Sequence, residues 1–183
     1  NTLIGGLAGD AITTASNNTA VGYSSLSSTT TGTGNTAVGK DALKDNSIGV
    51  NNSAFGENAL ANNTTADQNT ALGQNALLTN TTGASNVAIG HDSLRLNTTA
   101  STNTAVGVDA LRTNTTGSNN TALGYISLLS NTTGTQNAAL GRGTLASNTT
   151  ADNNTAVGFN ALNQNTTGTQ NTAVGSLALD AAT

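Results

Sequence analysis

Residues able to do chemistry recur along this chain at one fixed spacing. Asn-Thr-Thr, an N-x-[ST] glycan-acceptor pattern, places its asparagine at Asn63, Asn80, Asn97, Asn114, Asn131, Asn148 and Asn165, seventeen residues apart each time. The threonine beside it recurs at Thr81, Thr98, Thr115, Thr132, Thr149 and Thr166. With that period the acceptors would line one edge of the fold. The pattern points to covalent glycans, carried on the asparagine amides or on the threonine hydroxyls. A second reading stays open: an asparagine column bonding backbone groups at a turn, with threonine filling the neighbouring strand. Further acceptor matches begin at Asn17, Asn51, Asn62, Asn119 and Asn153. Uncharged rows of threonine at such spacing would also order water, which raises ice binding. Consecutive strand residues alternate faces, however, so only single-width rows are available.

Other chemistries find less support. Asp41, Asn58, Asn75, Asp92, Asp109 and Asn160 share one register position. Two carboxylates one repeat apart, as Asp92 and Asp109 are, could share a calcium ion with backbone carbonyls. Calcium-binding rolls instead repeat Gly-Gly-x-Gly-x-Asp every nine residues or so, and that pattern is absent; the row reads as solvated acids. His91 has no second histidine for a metal pair. The acids are scattered and single out no catalytic carboxylate pair. Gly141–Thr144 (Gly-Arg-Gly-Thr) lacks the lysine of a phosphate loop. With no cysteine there is no thiolate chemistry. We expect no enzyme, no metal and no cofactor. A net charge of −4 with five basic residues offers no footprint for nucleic acid. No apolar run approaches the ~20 residues of a membrane span.

The elements that would position these rows follow from the period itself. Repeats begin at Asn1, Asn18, Asn35, Asn52, Asn69, Asn86, Asn103, Asn120, Asn137, Asn154 and Asn171, always seventeen apart. Residues 1–183 therefore read as one array: ten full repeats and a partial eleventh. The consensus is N-T-A-[VL]-G-x-x-[AS]-L-x-x-N-T-T-G-x-[NQ]. Only 34 of 183 residues are Leu, Ile, Val or Phe, a share that in an aperiodic chain suggests disorder. A disordered tract would have no reason to keep register without one insertion. The charges keep it too, because all fourteen fall at positions 6, 7, 10, 11 and 16 of the repeat. A buried charge costs too much unless paired, so those five positions should face solvent.

Glycine at position 5, and often at 15, opposes helix, and seventeen residues are too few for a two-helix repeat. A short Thr-Ala-Val strand ended by glycine fits, with a second strand near Ala-Leu. The expected fold is all-β, a parallel β-solenoid (β-roll or β-helix) of seventeen-residue coils, with like residues stacked coil on coil. Position 4 is always a large apolar residue, and position 9 is leucine in every repeat but the first. Strand alternation then places positions 4 and 9 in the core and positions 3 and 8 outside. An uncharged outer row of Ala20, Ala37, Ala54, Ala71, Ala88, Ala105, Ala122, Ala139, Ala156 and Ala173 would be an assembly interface with another chain. The competing reading is a tight bend that tucks neighbouring residues inward together.

Asn-Thr-Ala-Val-Gly, Asn-Val-Ala-Ile-Gly (Asn86–Gly90) and Asn-Thr-Ala-Leu-Gly resemble the head repeats of trimeric autotransporter adhesins. The longer form with Ala-Leu-x-x-Asn-Thr-Thr-Gly is similar to seventeen-residue repeats of bacterial surface and phage-tail-fibre-like proteins. The resemblance covers the whole chain. It implies a left-handed roll and three chains per head. The repeat here is longer than the adhesin one and carries threonine at position 2 where valine is usual there.

The terminal repeats, 1–17 and 171–183, are atypical. The first has Leu3, Gly9 and Ile12 where others have Ala, Leu and Asn, and the last stops before its Asn-Thr-Thr. Terminal solenoid repeats usually cap the stack with polar surface; these are fairly apolar. That fits copies stacked end to end, or a fragment cut from a longer array, and a start at Asn1 without methionine fits processing or a fragment. The expected role is a structural subunit of an extracellular or cell-surface fibre, glycan-coated, whose partners are copies of itself, end to end or as a trimer. The alternative is an adhesin head or phage tail-fibre shaft that binds a host surface.

Overall fold

A computed structural model describes residues 1–180; the last three residues of the terminal repeat lie outside them. Each repeat contributes one strand of three residues at positions 2–4. These are β1 (Thr2–Ile4), β2 (Thr19–Val21), β3 (Thr36–Val38), β4 (Ser53–Phe55), β5 (Thr70–Leu72), β6 (Val87–Ile89), β7 (Thr104–Val106), β8 (Thr121–Leu123), β9 (Ala138–Leu140), β10 (Thr155–Val157) and β11 (Thr172–Val174). They form one parallel sheet in chain order. The register is a shift of one repeat throughout, as in Ala88 against Ala105. The chain is a β-solenoid of seventeen-residue coils, and no helix occurs among the described residues.

Glycine at position 5 ends each strand for two reasons. Its φ lies near +131° to +140° in every coil, a region closed to most side chains. A Cβ on Gly90 would also stand 2.5 Å from the carbonyl oxygen of Gly107 in the next coil. Three further corners per coil use the left-handed region: position 7 (Asp92, φ 56), position 9 (Leu94, φ 48) and position 17 (Thr102, φ 58). A left-handed leucine costs roughly 1–2 kcal/mol. Full burial of that side chain returns about 1.5–3 kcal/mol, and the position-9 leucines from Leu26 to Leu162 are all completely buried. The Leu94 amide also donates to the carbonyl of Ala110 one coil on, at 3.0 Å. Burial and bonding therefore hold the corner. Backbone ladders run outside the sheet as well: Thr81 donates to Thr98 at 2.9 Å, and Gln68 to Val50 at 3.0 Å.

The core corrects one sequence expectation. The alanine row from Ala20 to Ala173 faces inward, between 0% and 3% exposed. It packs with the position-8 alanines and the position-9 leucines in one continuous core. Position 4 faces outward, with Leu72 47% and Leu140 48% exposed. Alternation along the strand holds, but with the opposite sense. The reason is volume. A seventeen-residue coil encloses a narrow lumen already filled by leucine and two columns of asparagine, so the opposing strand has room only for alanine. Positions 8 and 9 both point inward, because the second strand expected near Ala-Leu does not form: the pair lies in a turn, and the left-handed leucine removes any alternation. The bend reading holds at that pair and not at positions 3 and 4.

Candidate functional site: two asparagine ladders and the outward rows

Two columns of asparagine run through the interior. At position 1, the side-chain oxygen accepts the backbone amide of the next coil's asparagine, as Asn35 Oδ1 accepts from Asn52 N at 2.9 Å. Its Nδ2 donates to the position-15 carbonyl of its own coil, as Asn52 does to Ala66 O at 2.8 Å. At position 12, Nδ2 donates to the preceding asparagine of the same column: Asn63 to Asn46 Oδ1 at 2.8 Å and Asn97 to Asn80 Oδ1 at 2.8 Å. It also donates to the same position-15 carbonyl, Asn63 to Ala66 O at 2.9 Å. The Ala66 oxygen thus receives both columns, one on each lone pair. A carbonyl has two lone pairs and an amide two N–H donors, so the arrangement satisfies polar groups that are otherwise costly to bury.

This settles the acceptor asparagines. Asn63, Asn80, Asn97, Asn114, Asn131, Asn148 and Asn165 lie at 0–1% exposure inside this ladder. A glycan on Nδ2 would replace an N–H that is already donating, and it would have no path to solvent. The glycan reading is overturned for this column, and the ladder reading stands. Threonine at position 13 is half-buried, and its hydroxyl donates to the same backbone carbonyl one coil on: Thr81 to Thr98 at 3.0 Å, Thr98 to Thr115 at 3.1 Å, Thr115 to Thr132 at 3.0 Å and Thr132 to Thr149 at 3.1 Å. Thr149 donates to Thr166, the most exposed of the set, at 3.3 Å. The free row is its neighbour. Thr65, Thr82, Thr99, Thr116, Thr133 and Thr150 at position 14 are exposed. Their hydroxyls make no protein hydrogen bond among the described residues. The sequence alone gave no sign of which threonine was free, because both are threonine in nearly every repeat.

The charged positions lie outward, with one exception. Asp92 is 7% exposed. Its carboxylate takes the Asn75 amide at 3.0 Å and lies within 3.8 Å of Arg95 Nε and 3.7 Å of Arg112 Nε. Arg112 also reaches Asp109 at 3.6 Å. Asp92 and Asp109 are thus joined through an arginine. Lys40 is exposed; hydrogen bonding to Asp41 first, and then to Glu57, holds its pKa above the ordinary lysine range. At position 6, Arg142 lies over the rings of Tyr125 (5.8 Å) and Phe159 (5.4 Å), a cation–π stack running along the coil axis.

The outward surface therefore has distinct rows: apolar at position 4, mixed at position 6, and hydroxyl at position 14. No family model, curated protein or solved structure matches the chain. Among the described residues, no helix is long and apolar enough to cross a membrane.

Proposed function

We propose that the chain is a structural module, a stiff rod forming part of an extracellular or cell-surface fibre, with copies of itself as partners. The observation that carries this reading is the unbroken ladder. Backbone bonds and the position-1 asparagine bonds recur from coil to coil, the position-12 column runs from Asn46 to Asn165, and each coil contacts only its neighbours. Length then comes from repetition, and stiffness from hydrogen bonds that recur at about 4.8 Å along the axis. The outward positions vary from coil to coil without cost to the ladder. Both end strands, β1 and β11, leave a hydrogen-bonding edge whose pattern continues into whatever coil comes next. Such edges invite pairing, and the first coil of another copy presents the same backbone edge with the position-1 asparagine and position-5 glycine, though with Leu3 in place of alanine. Any glycans would sit on outward groups: the exposed acceptor asparagines Asn17, Asn51, Asn62, Asn119 and Asn153, or unbonded hydroxyls such as those of the position-14 threonines.

Electron micrographs of the native material test the reading. Fibres many times longer than one rod support it; short discrete particles overturn it. Saturable binding on a glycan array or to host cells, with discrete particles, would instead support the adhesin or phage-shaft reading that the repeat resemblance suggests.

A further inference from the structure

The sheet carries an outer face that nothing among the described residues covers. Position 4 holds a branched or aromatic apolar residue in all eleven coils, and neither it nor position 2 carries a charge anywhere. Ile4, Phe55, Leu72, Leu140 and Val174 are between 39% and 70% exposed. On the flank, at position 6, Tyr23, Val108, Tyr125 and Phe159 widen the stripe, at 54%, 42%, 48% and 43% exposure. We propose that this face is an isologous interface, on which a second copy of the same chain lies side by side, with both rods pointing the same way.

Three observations select that occupant. The first is size. Eleven strands at about 4.8 Å make a stripe some 48 Å long. With a width of about 14 Å across positions 2 to 6, it offers roughly 700 Å², near the ~800 Å² per partner of a standard interface. A partner must use the whole length to reach that figure. The second is spacing: side chains recur once per coil, and a second solenoid of this sequence repeats its own apolar row at that same interval, level with the first over the whole stripe. The third is charge. If the rods ran in opposite directions about the stripe's midpoint, position 6 would face position 6, and Lys40 of the third coil would meet Arg142 of the ninth. With rods parallel, a two-fold axis along the position-4 row sets position 6 against the uncharged position-2 row of the other copy. Like charges are then kept apart, and the apolar rows meet each other.

The arrangement is independent of end-on stacking, and the test separates the two. Native mass spectrometry of the purified full chain should find only even numbers of 17.9 kDa chains, in pairs or in lengthwise stacks of pairs. Leu72→Lys with Leu140→Lys should yield odd-numbered species while circular dichroism stays unchanged, since both side chains already point to solvent. Thr99→Lys, on the position-14 row, should leave the pairs intact. For orientation, the chain has no native cysteine, so a nitroxide on Lys44→Cys, exposed in the third coil and off the stripe, reports a single distance with Lys40 kept. Parallel rods place the two labels at the same height, whereas opposed rods add an axial offset of six coils, roughly 29 Å. Monomers or trimers of the unmodified chain, pairs that survive both lysines, or the longer label distance would each overturn the proposal. Failure to grow into long fibres would count against the fibre reading and leave the pairing untouched.

Discussion

Asparagine at position 12 is an internal structural residue, and a one-atom change tests this. Asn97→Asp replaces the Nδ2 donor with an oxygen that faces Asn80 Oδ1 and the Ala100 carbonyl, at 2.8 Å and 3.0 Å in the native ladder. Burial and facing acceptors raise such a carboxyl's folded pKa above the ~3.9 of the unfolded chain. The folded form then holds its proton more tightly than the unfolded form. The variant should be closest to the parent below about pH 4 and lose stability as pH rises from there to the raised folded value. Urea melts across pH 3–8 would show this; a pH-independent deficit would contradict it. Gly90→Ala meets both the φ of +131° and the Gly107 oxygen, and should cost more than about 2 kcal/mol. Leu94→Ala keeps the left-handed strain and adds a cavity, for a loss of about 2–5 kcal/mol. Both are readable as shifts in the urea midpoint.

The strand is the element whose facing decides what the surface is. Ala105→Lys should unfold or grossly destabilise the local stack, because it drives a charge into a lumen with 0% exposure. Val106→Lys, one residue on, should remain folded, as judged by circular dichroism. The reverse result would restore the sense that hydrophobic size suggests. Much of the strand was legible beforehand: its place at positions 2–4, its end at glycine, its parallel neighbours and the buried leucine all follow from the period and residue types. Its facing was not. Alternation fixes that Ala105 and Val106 point opposite ways, but not which one points in. The usual rule puts the larger residue inside, and it fails here because leucine and asparagine from the other walls fill the lumen first. The acceptor asparagines were ambiguous for a related reason. An Asn-Thr-Thr on a surface and one inside a ladder look identical until the coil closes. Asp92 illustrates the limit of charge as a guide, since it is buried only because two arginines from different coils flank it.

At the scale of the whole molecule, stability is close to a sum over coils and their interfaces. Excision of one complete coil, residues 103–119, should therefore leave a shorter rod with unchanged strand signal by circular dichroism. Excision of residues 103–110 alone shifts every downstream column out of register, and should abolish the ladder from that point on. Equal damage from the two deletions would contradict the solenoid's additivity.

The central claim is that the coil axis is the axis of the proposed fibre, so that strands lie across it and ladders run along it. Diffraction from aligned native fibres tests this most directly. The account predicts a strong meridional reflection near 4.8 Å, the coil-to-coil spacing. A 4.8 Å reflection on the equator, or none at all, would contradict it.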